Sequence, residues 1–299
     1  MAGEFDFIQW ISTQQRPDRR VPVPIGDDLA AVVWDGSDLL LVGVDQVLDG
    51  RHFDAKRHLP AQIGRKAMNR NLSDCAAMAA LPAYAVTTLA LPADASIDYA
   101  RALYTGMRDA AAEFGCEIVG GDTGSWNGPL AITVTILGRS AGVAPVTRGG
   151  ASPGDFLYVT GPLGGSIGGR HLTFSPRVAL ARELATRFRI TSMIDISDGL
   201  SRDLGHLCAQ SRCGAVVDAA AVPVHDDVRS LTFSDRSPLE HALHDGEDHE
   251  LLFTSPDSVP PELAIRIGQV TEGRERVLQD GDLLRPLETR GWEHRLGSS

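Results

Sequence analysis

The sequence predicts a mixed α/β (α+β) chain built as two domains of similar size, and three observations predict it. Strand-like and helix-like stretches alternate through the first 140 residues and again from Phe156 onward. Between the two series, residues 138–155 (GRSAGVAPVTRGGASPGD) hold five Gly and two Pro, which interrupt any regular element. A length of 299 residues with 43% hydrophobic side chains suits one large or two mid-sized domains. The break divides an N-terminal domain, 1–141, from a C-terminal domain, 142–299.

In order, Leu39–Val44 is a continuous apolar run that ends in Asp45 and reads as a strand. Residues 60–80 are rich in Ala and Met, with Ile63, Ala67 and Leu72 at near-helical spacing, and Pro82 stops them. The β-branched stretch Tyr84–Leu91 reads as a strand, Ile97–Phe114 as a helix, and Ala131–Leu137 (AITVTIL) as the clearest strand of the chain. After the break, strand Phe156–Thr160 leads into a glycine loop, GPLGGSIGG (161–169). Helices follow at 176–188 and Leu200–Gln210, with strands at Met193–Ile196, Glu250–Thr254 and Ile265–Val270.

Charge excludes several functions. The chain carries 28 basic and 39 acidic side chains, a net charge of −11. Such an acidic balance argues against nucleic acid as a partner, because phosphate-tracking surfaces are basic. Lys56 and Lys66 are the only lysines and neither follows a Gly, so no Walker A loop exists. The N-terminal MAGEFDFIQW lacks a basic and then apolar leader pattern, and the longest apolar runs are of strand length, so neither secretion nor a membrane is expected. Cys75, Cys116, Cys208 and Cys213 form no CxxC pair and sit among apolar residues, as buried thiols of a cytoplasmic protein do.

The acids are unevenly divided, 27 Asp against 12 Glu. Asp favours turns, caps and hard-metal sites. Most, such as Asp35, Asp94 and Asp257, read as turn formers. Six others follow apolar strands or lie in Gly- and Ser-containing turns: Asp28 in IGDD, Asp45, Asp74 in NLSD, Asp122 in IVGGD, and Asp195 and Asp198 in IDISDG. If these carboxylates converged, mutual repulsion would raise their pKa values unless a cation lay among them. Oxygen-only ligands favour Mg²⁺, which also takes phosphate oxygens, and so point to nucleotide phosphate chemistry.

Seven blocks occur in one order: IGDD, VD with GRHF (44–53), IGRKAMNRNLSDCAAMAALP (63–82), GGDT (120–123), TRGGASPGDFLYVTG (147–161), MIDISDGLSRDL (193–204) and DGEDHELLF (245–253). Together they resemble the thiamine-monophosphate kinases, relatives of aminoimidazole ribonucleotide synthetase, from about residue 4 to about residue 296. The resemblance implies a two-domain fold of the aminoimidazole ribonucleotide synthetase type, in which N-terminal sheet domains pair into a homodimer beside C-terminal α+β domains. It implies ATP-dependent phosphorylation of thiamine monophosphate to thiamine diphosphate, assisted by several Mg²⁺ ions. Asp28, Asp45, Asp74, Asp122, Asp195 and Asp198 fall on its metal ligands. Gly121, Asp122, Arg148 and Ser197 fall on nucleotide contacts, and His52, Glu247 and Trp292 on contacts to the thiamine phosphate. No residue beyond the metal ligands is assigned to catalysis.

The chain departs from this pattern in places. Gly43 and Val44 stand where two hydroxyl residues are usual, His249 stands for a tyrosine, Asp245 for a glycine, and Ser166–Ser192 is short. A related phosphotransferase with another phosphorylated acceptor, or a nucleotide-binding protein without turnover, are the alternative readings.

Overall fold

The computed structural model describes residues 13, 18–24, 26–35, 38–231 and 234–292. Ile25 of IGDD and the residues after Trp292 lie outside them, as does most of the N-terminal segment.

The first half forms a five-stranded sheet. Its strands are β1 (Ala30–Asp35), β2 (Asp38–Leu48), β3 (Leu81–Pro92), β4 (Glu117–Trp126) and β5 (Ala131–Arg139), in the order β1-β2-β5-β3-β4. β3 and β4 run parallel; the other neighbours are antiparallel. Alternation sorts the side chains. Ile132, Val134 and Ile136 of β5 are buried beneath helices α1 (Pro60–Ala77) and α2 (Ile97–Glu113). Each such side chain contributes about 1.5–3 kcal/mol on burial. The opposite face leaves Val44, Tyr84 and Val86 exposed.

Pro60 opens α1, where its missing N–H costs nothing, and the Gln62 Oε1 accepts the Leu59 N–H at 3.2 Å. Ser96 caps α2 by accepting the Tyr99 N–H at 3.1 Å. The two helices touch backbone to backbone. A Cβ on Gly64 would lie 2.0 Å from the Leu103 carbonyl oxygen, and one on Gly106 would lie 2.0 Å from that of Ala61.

The second half forms a seven-stranded sheet of β6 (Phe156–Val159), β7 (Ser192–Asp195), β8 (Gly214–Asp218), β9 (Leu251–Ser255), β10 (Ile265–Thr271), β11 (Arg276–Asp280) and β12 (Leu283–Pro286). Its order is β12-β11-β8-β10-β6-β9-β7. Helices α3 (Val178–Arg187), α4 (Leu200–Ser211) and α5 (Pro238–His244) accompany it. The two halves share a core: Ala76, Ala77 and Ala79 at the end of α1 pack with Tyr158, Leu184, Met193 and Phe253. Helix α1 is therefore enclosed on several sides, touching β2, β5, α2, α3 and β7.

Three local expectations change. Asp45 does not end its strand, because β2 continues to Leu48; Asp122 lies inside β4; and Asp74 sits near the end of helix α1. Pairing with β3 carries β4 through Gly120 and Gly121, which single-strand propensity reads as a turn. The short elements β1, β8, α5, β11 and β12 carry too little periodicity to be read from sequence.

Because Gly106 meets backbone, Gly106→Ala must push α1 and α2 apart. A loss of about 1–3 kcal/mol is expected in urea unfolding, and an unchanged midpoint would show that the helices do not pack this closely.

Candidate functional site

Three acids from three segments meet where the halves join. Asp28 precedes β1, Asp74 projects from α1 and Asp195 ends β7, and each offers a carboxylate oxygen within 4.8 Å of the others. Burial raises the Asp28 pKa, Arg148 opposes this, and Asp195 adds to it. Asp74 is pushed well above the usual carboxylate range by burial and by Asp45, Asp195 and Asp28. Burial would raise Asp195 too, yet the bonds from His249 and Ser73 outweigh it and hold its pKa low. Ser73 Oγ donates to Asp195 Oδ2 at 2.6 Å, and His249 Nδ1 lies 3.0 Å from the same oxygen.

Arg148, in the segment linking the two sheets, forks onto Asp28. Its Nε lies 3.1 Å from Oδ2 and its Nη2 lies 2.8 Å from Oδ1, while its backbone N–H donates to Asp27 at 2.8 Å. One guanidinium against three carboxylates leaves the set short of positive charge. An oxygen-only set of this kind can hold a hard divalent cation.

A second network surrounds Glu247, in the turn before β9. Lys66 Nζ, fully buried on α1, lies 3.0 Å from Glu247 Oε2, 2.7 Å from His171 Nδ1 and 2.6 Å from the His52 carbonyl oxygen. Burial pushes the Lys66 ammonium down to about 8 and His171 down to about 4, so His171 accepts through Nδ1. Arg70, one turn further along α1, bonds Asp45 at 2.6 Å and Glu247 at 3.2 Å. His249 lies 3.4 Å from Glu247 Oε2 and stacks on Phe174 at 4.0 Å. Burial would lower the His249 pKa, but Asp195 and Glu247 raise it. Although burial opposes it, Arg70, His249 and Lys66 hold Glu247 well below the usual range.

The other sequence-derived candidates are distributed around these networks. Asp45 pairs in register with Val134 and so faces the helices, whereas Asp122 pairs with Thr88, on the opposite face of the sheet. Asp122 therefore lies apart from the Asp28–Asp74–Asp195 set. Gly121 is pressed on β3, where a Cβ would meet the Thr87 carbonyl oxygen at 1.9 Å. Ser197 and Asp198 form the turn after β7; the Ser197 carbonyl accepts the Glu247 N–H at 2.7 Å, and the Asp198 carbonyl accepts the Trp292 N–H at 3.2 Å. His52 Nδ1 accepts the Leu48 N–H at 2.9 Å, and burial lowers its pKa to about 4.

The glycine loop turns its donors inward. The Gly164 N–H lies 3.0 Å from both Asp248 carboxylate oxygens and the Gly165 N–H lies 3.0 Å from Asp245. Both glycines have positive φ, 90° and 74°, which lets the loop fold onto these acids.

Several residues escaped sequence reasoning. Lys66, Arg70, Ser73 and His171 complete the two networks; for Lys66 and Arg70 the available signal was the i, i+4, i+8 spacing of Lys66, Arg70 and Asp74, which sets these charged side chains along one face of the helix. Asp203 and His206, one turn apart on α4, join Asp198 in a second set of possible ligands within 4.8 Å. Burial, Asp198 and Asp195 raise the Asp203 pKa well above the ordinary range.

Comparison with known proteins accords with this architecture. Residues 26–140 match the N-terminal domain of AIR synthase related proteins, and residues 169–281 match the C-terminal domain. The chain is 43% identical over 258 residues to the thiamine-monophosphate kinase of Rhodopirellula baltica, covering 84% of this chain and 81% of the relative. It is 34% identical to that of Escherichia coli K12, covering 98% of each. The solved structure of AaThiL complexed with AMPPCP and TMP superposes with a TM-score of 0.86 at 29% identity, over 98% of this chain and 97% of that one.

The raised Asp74 pKa has a consequence for stability. Without divalent cations the folded chain holds the Asp74 proton more tightly than the unfolded chain, which releases it near pH 4, so the contribution of Asp74 to stability falls as pH rises above about 4. Asp74→Asn should flatten that slope and stabilise the cation-free protein at neutral pH by about 1–3 kcal/mol. Urea midpoints measured in chelator across this range check it, and a variant slope equal to the parent's would contradict it.

Proposed function

This chain belongs to the AIR synthase related proteins, among the thiamine-monophosphate kinases, and on that premise we propose that it transfers the γ-phosphoryl group of ATP to the phosphate of thiamine monophosphate. An acceptor phosphate oxygen forms the new P–O bond, the bond to the β-phosphate oxygen breaks, and the products are ADP and thiamine diphosphate. The observation that carries the reading is the convergence of Asp28, Asp74 and Asp195 beside Arg148.

The chemistry needs little covalent help. Phosphoryl transfer through a loose transition state depends on in-line positioning and charge neutralisation. The acceptor is already an ionised phosphate, so no hydroxyl has to be deprotonated. Asp28, Asp74 and Asp195 fit Mg²⁺ by their oxygen-only donors, and Asp28 and Asp74 also by their raised proton affinities, with Asp198 in the adjoining turn. When bound, Mg²⁺ supplies positive charge to phosphate oxygens. Arg148, its fork held by Asp28, adds fixed positive charge beside the nucleotide, with Gly121, Ser197 and, from the open face of β4, Asp122 as further contacts. His52, Glu247 and Trp292 form the acceptor side, where Lys66 and His249 hold Glu247 in one orientation.

A homodimer belongs to the same reading. The exposed Val44, Tyr84 and Val86 on the open sheet face support pairing with a second copy, which sedimentation velocity reads directly. Four buried free cysteines accord with a reducing, cytoplasmic setting. Among the described residues no helix is long and apolar enough to cross a membrane.

Coupled ADP release is expected to depend on thiamine monophosphate, with other monophosphates and water giving at most a small fraction of the rate. Equal ADP release with and without thiamine monophosphate would overturn the assignment.

A further inference from the structure

The two acidic networks differ in charge balance. Around Asp28, Asp74 and Asp195, three carboxylates face the Arg148 guanidinium, and His249, shared with Glu247, reaches Asp195. Around Asp45 and Glu247, two carboxylates already meet two full cations, Lys66 and Arg70. Arg70 spans the pair: its Nε lies 2.6 Å from Asp45 Oδ2 and its Nη1 lies 3.2 Å from Glu247 Oε1, with the side chain only 15% exposed.

Asp45 also lacks oxygen neighbours along its own strand. Gly43 shares its face and brings no oxygen, and a Cβ there would lie 2.2 Å from Leu29 Cδ2, so a side chain at that position would require Leu29 to shift. Val44 is apolar and points to the open face. Among the described residues, Asp45 falls in neither set of possible ligands within 4.8 Å. Mg²⁺ demands a nearly octahedral oxygen shell, and this surrounding does not fit one.

We propose that Arg70 is a built-in cation at Asp45, standing where a divalent ion would otherwise bridge Asp45 and Glu247, so that Asp45 is a partner of arginine in this chain and divalent ions are confined to the carboxylates near Asp195. This rests on the kinase reading and deepens it. A guanidinium brings a fixed charge and directional donors, so the Asp45–Glu247 end of the site is neutral at any Mg²⁺ concentration. Arg70 is thereby a positioning residue: it ties β2 to the turn that carries Glu247.

Titration of the full-length protein with Mn²⁺, followed by electron paramagnetic resonance of the free ion, tests this. Asp45→Asn should bind as many Mn²⁺ per chain as the parent, while Asp74→Asn should bind fewer. Arg70→Met should gain one Mn²⁺ site, and Arg70→Lys, which keeps the charge, should not. Loss of a Mn²⁺ site in Asp45→Asn, or a parent-like count in Arg70→Met, would overturn the proposal. If Arg70→Met does not fold, the Asp45→Asn count still decides. Thiamine-monophosphate-dependent ADP release by the same parent sample separates the two claims: its absence defeats the kinase reading and leaves the Mn²⁺ counts to judge Arg70.

Discussion

A charge removed from water has to find a partner, and helix α1 carries Lys66, Arg70 and Asp74 into the interior along one face. β2 and the turn after it supply part of the partnership, Asp45 for Arg70 and the His52 carbonyl for Lys66, and the second half of the chain supplies the rest. That half contributes Glu247 to Lys66 and Arg70, and Asp195 to Ser73. The same contacts that satisfy the helix therefore fix how the two sheets meet. A site assembled at that junction inherits its geometry from a stability requirement.

The requirement is met unevenly. Near Glu247, positive and negative charges balance and the side chains are held in one arrangement. Near Asp195, carboxylates exceed the available cations, and Asp74 takes its raised proton affinity from burial and then from that excess. An unbalanced acidic set beside a balanced one separates two tasks within one cleft: receiving a cation with its phosphate, and orienting an acceptor. The net charge of −11 is compatible with a polyanionic substrate only because a cation can lie between them.

The overall architecture was legible because long elements carry strong patterns; Ala131–Arg139 alternates as plainly in sequence as in the sheet. The sequence offered six aspartates, Asp28, Asp45, Asp74, Asp122, Asp195 and Asp198, as one group from their association with apolar strands and Gly- and Ser-containing turns, and Asp28, Asp74 and Asp195 are among them. The meeting of those three was not legible, since it depends on how three distant segments are folded together. Asp45 and Asp122 show the converse. Both lie within long strands, and only the pairing register shows that they face opposite sides of the sheet. Lys66 was passed over because a lysine between Arg65 and Ala67 reads as solvated. Nothing local tells that both flanks of its helix are covered. His249 was visible as a departure, but its role appears only when Asp195 and Glu247 are seen on either side of its ring.

The central claim is that the carboxylates joined through α1 form a cation platform for nucleotide phosphate. The most direct measurement is anomalous scattering from a crystal grown with Mn²⁺ and AMPPCP. The account predicts a Mn²⁺ peak bounded by Asp28, Asp74 and Asp195, with phosphate oxygens of the nucleotide on its far side. A bound nucleotide with no Mn²⁺ among those three carboxylates would contradict it.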